Sequence, residues 1–113
     1  MSEKMLSGKR ILITQADAFM GPCLCEVFAD LGADVIGDVS DLTDPEAPAR
    51  AVAAAGDIHV LVANLAIEAP ITPAVEVPET EWRKVFAALV DPLPRLFRAV
   101  LPRMIARRSG KIL

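Results

Sequence analysis

The sequence predicts an α/β fold in which helices cover both faces of a parallel sheet. Short runs of apolar, mostly branched residues, typical of buried strands, alternate along the 113-residue chain with segments of helical periodicity. The longest such segment keeps apolar residues at helical spacing from Trp82 to Met104. Right-handed crossovers join strands that alternate with helices, so the strands are expected to run parallel within one domain, residues 1–113.

The first strand is expected at residues 10–14, in the centre of the sheet. A helix is expected at 19–31, with one apolar stripe formed by Leu24, Val27, Phe28 and Leu31. Gly32 is placed to end this helix, and residues 33–37 form a second strand beside the first.

The next helix and strand follow a turn-rich stretch. Thr43 and Glu46 have the spacing of a capping box, which predicts an alanine-rich helix that ends at Gly56. The third strand is expected at 58–63, on the other side of the first. His59 at its start is expected to form a local hydrogen bond rather than to act in catalysis.

The long helical segment contains Asp91-Pro92, a pair typical of an N-cap and first helical residue, so the helix should kink or restart there. Lys111 begins a fourth strand, expected next to 58–63. Because the chain stops inside that strand, we interpret it as the N-terminal half of a longer protein.

Composition narrows the function classes. The net charge of −3 and pI near 5.1 argue against a nucleic-acid binder. No segment is apolar over the length that a signal peptide or a membrane span requires, so a cytoplasmic protein without a membrane partner is expected. Cys23 and Cys25 have no further cysteine or histidine cluster to complete a metal site, and none is predicted.

Four runs of residues resemble a known family in their order and spacing. They are GKRILIT, ADLGADVI, DIHVLVAN, and the segment RAVLPRM followed by SGKIL. Together they resemble the first half of a short-chain dehydrogenase/reductase, which implies a Rossmann-like fold. The resemblance places the family's catalytic Ser, Tyr and Lys beyond Leu113, so this chain is assigned no catalytic residue.

The chain departs from the family's dinucleotide fingerprint, T-G-x-x-x-G-x-G, in which glycines let the backbone approach the cofactor pyrophosphate. Thr14 and Gly21 match it, but Gln15 and Phe19 replace the other two glycines, and Asp17 adds a negative charge. These departures predict that the protein binds neither NAD(H) nor NADP(H).

Further departures follow along the chain. The family's N-N-A-G is reduced to a single asparagine, Asn64, and Leu89 stands where the family has a catalytic Asn. Asp38 follows directly on the second strand, so the helix and strand that usually precede this segment are expected to be shortened or absent. Asp38 is also a candidate acidic anchor for a ribose.

Halohydrin dehalogenases, a branch of the same superfamily, have a similar pattern. Thr14, Phe19 and Gly21 fit their T-x-x-x-x-(F/Y)-x-G motif, and Ala88-Leu89 resembles their Ala-Leu dipeptide. The resemblance implies a cofactor-independent lyase that converts a haloalcohol to an epoxide and halide, with an aromatic residue filling the vacated nicotinamide pocket. The candidate halide-pocket or cofactor-binding residues are Thr14, Gln15, Phe19, Gly21 and Asn64.

Two other functions stay open: an NAD(P)-dependent short-chain oxidoreductase and a non-catalytic relative. Asn64 also has a purely structural interpretation, in which its side chain ties the loop that follows it. The long helix carries more apolar surface than one sheet face can cover, including Phe86, Leu93, Phe97 and Leu101. We therefore expect a homo-oligomer that buries residues 82–104.

Overall fold

The computed structural model describes residues 4–113 as one four-stranded sheet with helices on both faces. The strands are β1 (Arg10–Ile13), β2 (Asp34–Gly37), β3 (Val60–Val62) and β4 (Lys111–Ile112). The α-helices are α1 (Gly21–Asp30), α2 (Ala47–Ala55), α3 (Glu79–Leu89) and α4 (Pro92–Arg107), and a 3₁₀ turn covers Ala74–Glu76. The strand order is β2-β1-β3-β4 and all three pairings are parallel, which confirms the predicted topology.

The two faces of the sheet carry separate clusters of buried side chains. Leu12 and Leu61 face α2 and α4. Ile11, Ile13 and Val62 face the other way, toward α1. The central strands β1 and β3 therefore bury alternate residues on opposite faces, as a sheet between two layers of helices requires.

The helix α1 differs from its predicted stripe at two of four positions, since Leu31 follows the end of the helix at Asp30 and Val27 is not buried. Leu24 and Phe28 pack on the sheet, but Val27 is 46% exposed and Cys25 packs in its place. The helix ends as predicted at Gly32, whose φ is +96°. Its N–H donates to Ala29, and the next N–H, that of Ala33, donates to Phe28, the pair of bonds of a Schellman motif.

The capping box predicted before α2 is wrong. Thr43 Oγ1 donates to Asp41 Oδ1 at 2.7 Å rather than reaching the helix, and Glu46 N–H donates to Asp44 Oδ1 at 3.0 Å. Asp41 and Asp44 thus form two consecutive side-chain turns, and α2 begins only at Ala47. These hydrogen bonds hold the pKa of Asp41 below its ordinary value; for Asp44 the hydrogen bond from Arg50 lowers the pKa most.

The predicted restart of the long helix is confirmed, since α3 ends at Leu89 and α4 begins at Pro92. Asp91 is the N-cap and Pro92 the first residue of α4, as predicted, but Asp91 has helical dihedral angles and its side chain makes no capping hydrogen bond. His59 Nδ1 accepts a hydrogen bond from Arg10 N–H at 2.9 Å, so the residue makes a structural hydrogen bond as expected, but to the adjacent strand β1 rather than locally. No helix within residues 4–113 is long and apolar enough to cross a membrane.

Candidate functional site

The five candidate site residues lie together where β1 and β3 end. Thr14, directly after β1, is fully buried, and its Oγ1 donates to the main-chain oxygen of Asn64 at 2.8 Å. Gln15 and Phe19 lie in the loop that follows, and Gly21 begins α1. Carboxyl ends of adjacent parallel strands are where open α/β sheets bind their ligands.

The loop between β1 and α1 has an unusual backbone. Gln15 has φ +43° and Phe19 has φ +52°, both in the left-handed region. Left-handed backbone costs a residue with a Cβ roughly 1–2 kcal/mol, so other contacts must hold the loop in place. These are the two positions where the family fingerprint has glycine. The loop therefore keeps a glycine-like backbone conformation without its glycines.

Asn64 supplies part of that support. Its side chain is nearly buried, and Nδ2 donates to the main-chain oxygens of Gln15 and Ala18, both at 3.0 Å. The Asn64 side chain therefore fixes a loop, as the structural interpretation expected. The loop that it fixes is the one after β1, however, and not the one after β3.

The Gln15 side chain crosses to the second loop. Oε1 accepts from Ala66 N–H at 2.6 Å, and Nε2 donates to Ala66 O at 3.3 Å. The sequence interpretation placed this side chain in the space reserved for a phosphate. In the structure the carboxamide is instead bonded to the main chain of the loop after β3.

Gly21 has no room for a side chain, because a Cβ there would collide with the carbonyl group of Ala16. The loop and the first turn of α1 are therefore in close contact. Within residues 4–113, the N–H groups of Phe19, Met20 and Cys23 donate to no protein acceptor. Free N–H groups at a helix N-terminus are the donors that bind phosphates in nucleotide folds. These N–H groups are therefore available as donors to a pyrophosphate.

An open cleft of about 570 Å³ lies beside this loop. Phe19, 77% exposed, forms one side, and Leu89 from α3 contributes to the wall. The remaining lining residues are Ala18, Leu65, Ala66, Ile67 and Glu68. Sequence reasoning missed Ala66 and Glu68: Ala66 contributes through its main chain, which no residue pattern reveals, and nothing in the sequence distinguishes Glu68 from other exposed carboxylates.

Asp38 lies next to the same loop at the end of β2. Its main-chain oxygen accepts from Ala16 N–H at 2.9 Å, and its carboxylate accepts from the Ser40 N–H at 3.1 Å and hydroxyl at 2.9 Å. Between β2 and α2 the structure has only this turn-rich connection, as the shortened segment predicted. The shortened connection thus ties Asp38 to the β1–α1 loop through its main chain, while its carboxylate is bonded to Ser40.

Comparison with known proteins identifies the family. The short chain dehydrogenase family profile matches residues 29–113. The galactitol 2-dehydrogenase (L-tagatose-forming) of Cereibacter sphaeroides is 33% identical over 94% of this chain. This chain belongs to the short chain dehydrogenase family. The 2-keto-3-deoxy-L-fuconate dehydrogenase of Xanthomonas campestris pv. campestris is 32% identical over 96% of the chain, and the chain spans only 42% of the length of each of these relatives.

Solved structures agree with the fold. A structure described as a dehalogenation enzyme superimposes with a TM-score of 0.84 and 27% identity, covering 96% of this chain and 53% of that one. The serine dehydrogenase from Escherichia coli, with a TM-score of 0.74 and 23% identity over 91% of this chain and 59% of its own, supports the fold alone.

The family assignment overturns one prediction. Dehydrogenases of this family pass hydride to or from a nicotinamide nucleotide, and the curated relatives are dehydrogenases. The expectation that no cofactor is involved is therefore wrong. It assumed that Gln15 and Phe19 obstruct the pyrophosphate site, whereas the loop backbone is kept and the Gln15 carboxamide is bonded to Ala66.

Proposed function

We propose that this chain is the nucleotide-binding half of a short-chain oxidoreductase that uses NAD(H) or NADP(H). The observation that carries the proposal is the left-handed backbone at Gln15 and Phe19, next to unpaired N–H groups at the start of α1. Strain of this kind persists only where surrounding contacts impose it, and it is concentrated at functional sites.

Each group in the loop has a role under this proposal. The free N–H groups of Phe19, Met20 and Cys23 hold the pyrophosphate, and Gly21 lets the loop lie close to the helix start. The Asp38 carboxylate, at the end of β2, accepts a hydrogen bond from a ribose hydroxyl. A bound nicotinamide would accept or donate the hydride. This chain binds and orients the cofactor, and none of its residues is assigned to proton transfer.

Calorimetric titration of the full-length protein with NAD⁺, NADH, NADP⁺ and NADPH tests the proposal. We expect one pair to bind with a Kd on the order of micromolar, about −8 kcal/mol. Gly21→Ala should weaken binding at least tenfold, because its Cβ collides with Ala16 and displaces the loop. Gly8→Ala is the control for an added methyl group away from the site: its Cβ meets no neighbouring atom, and the strain at its φ of +79° should lower stability without changing nucleotide affinity. If no nucleotide binds at millimolar concentration, the proposal is wrong.

A second candidate function is a halohydrin dehalogenase-like activity, which the exposed Phe19 ring on an apolar cleft favours. The solved dehalogenation enzyme with 27% identity to this chain supports it. In that reaction a base takes the hydroxyl proton of a haloalcohol. The alkoxide oxygen then bonds to the adjacent carbon as the carbon–halogen bond breaks, giving an epoxide and halide.

The second candidate predicts a halide site beside Phe19. Bromide titration followed by the NMR amide shifts of residues 18–20 and 65–68 should show saturable binding that Phe19→Gly abolishes, and the full-length protein should release halide from a vicinal haloalcohol. Absence of both responses at 100 mM bromide, on the order of the salt concentrations that screen surface charge, would exclude this candidate.

A further inference from the structure

The side chain of Gln15 joins the two loops that line the candidate cleft. Its two hydrogen bonds reach the N–H and the oxygen of a single residue, Ala66, 51 residues later in the chain. A carboxamide that donates to and accepts from the same residue fixes both the position and the orientation of that main-chain segment. Leu65, Ala66 and Ile67, the segment so held, form one wall of the cleft.

We infer that Gln15 is a positioning residue: its side chain fixes the 65–67 wall and couples it to the loop that holds the nucleotide. The coupling rests on the proposed function, whereas the fixing of the wall does not depend on any ligand. The main chain of Gln15 is itself part of the β1–α1 loop, where its oxygen accepts from Asn64 Nδ2 and from Ala18 N–H. A shift of this loop therefore moves the Gln15 carboxamide and, with it, Ala66.

The backbone strain at Gln15 supports a role for its side chain. Glycine would adopt φ +43° without cost but would leave Ala66 N–H and O without this partner. The chain instead has a residue that is strained in the main chain and bonded through the side chain. Segment 67–78 follows Ala66 and makes one side-chain hydrogen bond to the rest of the described chain. In this bond Thr72 Oγ1 donates to Glu81 Oε1 at 2.8 Å.

Hydrogen exchange at the Ala66 amide, followed by NMR in the full-length protein, tests the inference without ligand. Gln15→Met keeps the side-chain length but removes both hydrogen bonds, and Gln15→Gly removes them while relieving the strained φ. In both variants the Ala66 amide hydrogen should exchange on the order of tenfold faster than in wild type. The free energies of unfolding of the two variants should differ, because only the glycine relieves the backbone strain. If the Ala66 exchange rates differ between the variants in proportion to these free energies, the positioning role is contradicted.

A control variant and a nucleotide arm complete the test. Thr72→Val removes the other tie of the segment and should leave Ala66 exchange unchanged. Adding saturating NAD⁺ or NADP⁺ should slow exchange at 65–67 in wild type but not in either Gln15 variant. Unchanged Ala66 exchange in both ligand-free variants overturns the inference, as does a bound nucleotide that fails to protect 65–67 in wild type. Failure of any nucleotide to bind contradicts the proposed function instead, and the ligand-free comparison still decides whether Gln15 fixes the wall.

Discussion

Gln15 and Asn64 hold each other's loops. Asn64 Nδ2 donates to the main-chain oxygen of Gln15 at 3.0 Å, and the Gln15 carboxamide bonds the main chain of Ala66, two residues beyond Asn64. Each loop thus supplies a side chain that fixes the backbone of the other. The result is one rigid edge to the cleft, built from the ends of two adjacent strands.

Replacement of Phe19 by glycine should stabilise the protein. The exposed ring contributes little packing, so removal of its Cβ relieves roughly 1–2 kcal/mol of backbone strain against about 0.5–1 kcal/mol of added chain entropy. We expect a net gain of about 0.5–1 kcal/mol in urea denaturation. Met20→Gly is the control, because Met20 is also exposed but has φ −86°, and it should lose stability. A loss in both variants would contradict the strain argument.

Replacement of Asn64 by alanine should cost about 2–3 kcal/mol, since two hydrogen bonds of a nearly buried amide are lost. Gln15 and Phe19 in the β1–α1 loop should also lose their left-handed backbone conformation, and nucleotide binding should weaken as a result. Thermal and urea unfolding measure the first effect and calorimetry the second. Ser40→Ala, which removes a hydrogen bond from a half-buried turn, should cost less than 1 kcal/mol. Equal stability of wild type and Asn64→Ala would show that other contacts hold the loop.

The strand order was predictable because alternating strands and helices joined by right-handed crossovers leave few topologies, and the restart at Pro92 because proline acts locally. The capping box was not, since Asp41 and Asp44 compete for the same donors that Thr43 and Glu46 were expected to use. The site residues could be named from the resemblance, but the direction of the Gln15 side chain could not. It depends on Ala66, a residue whose side chain carries no signal.

The charge of Asp17 gives a prediction that depends on the proposed function. Asp17 is exposed in the loop before α1, so it opposes the negative pyrophosphate across a partly solvated gap. Asp17→Asn should tighten nucleotide binding about two- to fivefold, with a smaller effect at high salt. Asp30→Asn, an exposed acid at the far end of α1, should leave affinity unchanged. Equal shifts in both variants would indicate only a general effect of net charge.

The oligomer predicted through residues 82–104 stays a prediction, and α3 offers a clear place to test it. Trp82 is 58% exposed and packs against Phe86, with the rings tilted by 40° and their centroids 4.9 Å apart. The double variant Trp82→Ser/Phe86→Ser should dissociate the full-length protein at micromolar concentration in light scattering, with unchanged circular dichroism. Ile105→Ser is the control, because Ile105 is 69% exposed but lies outside the predicted surface. A wild-type monomer at that concentration would rule the interface out.

The two side-chain turns before α2 predict part of the acid sensitivity. Hydrogen bonds from Thr43 and from Arg50 lower the folded-state pKa of Asp41 and Asp44, respectively. A carboxyl whose pKa is lower in the folded state stabilises the fold above its unfolded pKa, near 3.9, and this contribution is lost as the pH falls through the folded value. The free energy of unfolding should therefore decrease as the pH falls below about 4, and this decrease should be less steep in Asp44→Asn than in wild type. Glu26→Gln, an exposed acid on α1, is the control, and an unchanged slope for Asp44→Asn would contradict the assignment.

The hydrogen bonds that shape the cleft join residues far apart in the chain. Asn64 reaches Ala18 and Gln15 across 46 and 49 positions, and Gln15 reaches Ala66 across 51. Contacts of such sequence separation require the chain to close a long loop before they can form, whereas β1, α1 and β2 are neighbours along the chain. The strained loop therefore depends on residues outside it as well as on its own. The hydrogen bonds to Asn64 and Ala66 can form only when β3 has joined β1, so a fragment ending before residue 58 would lack these supports of the loop.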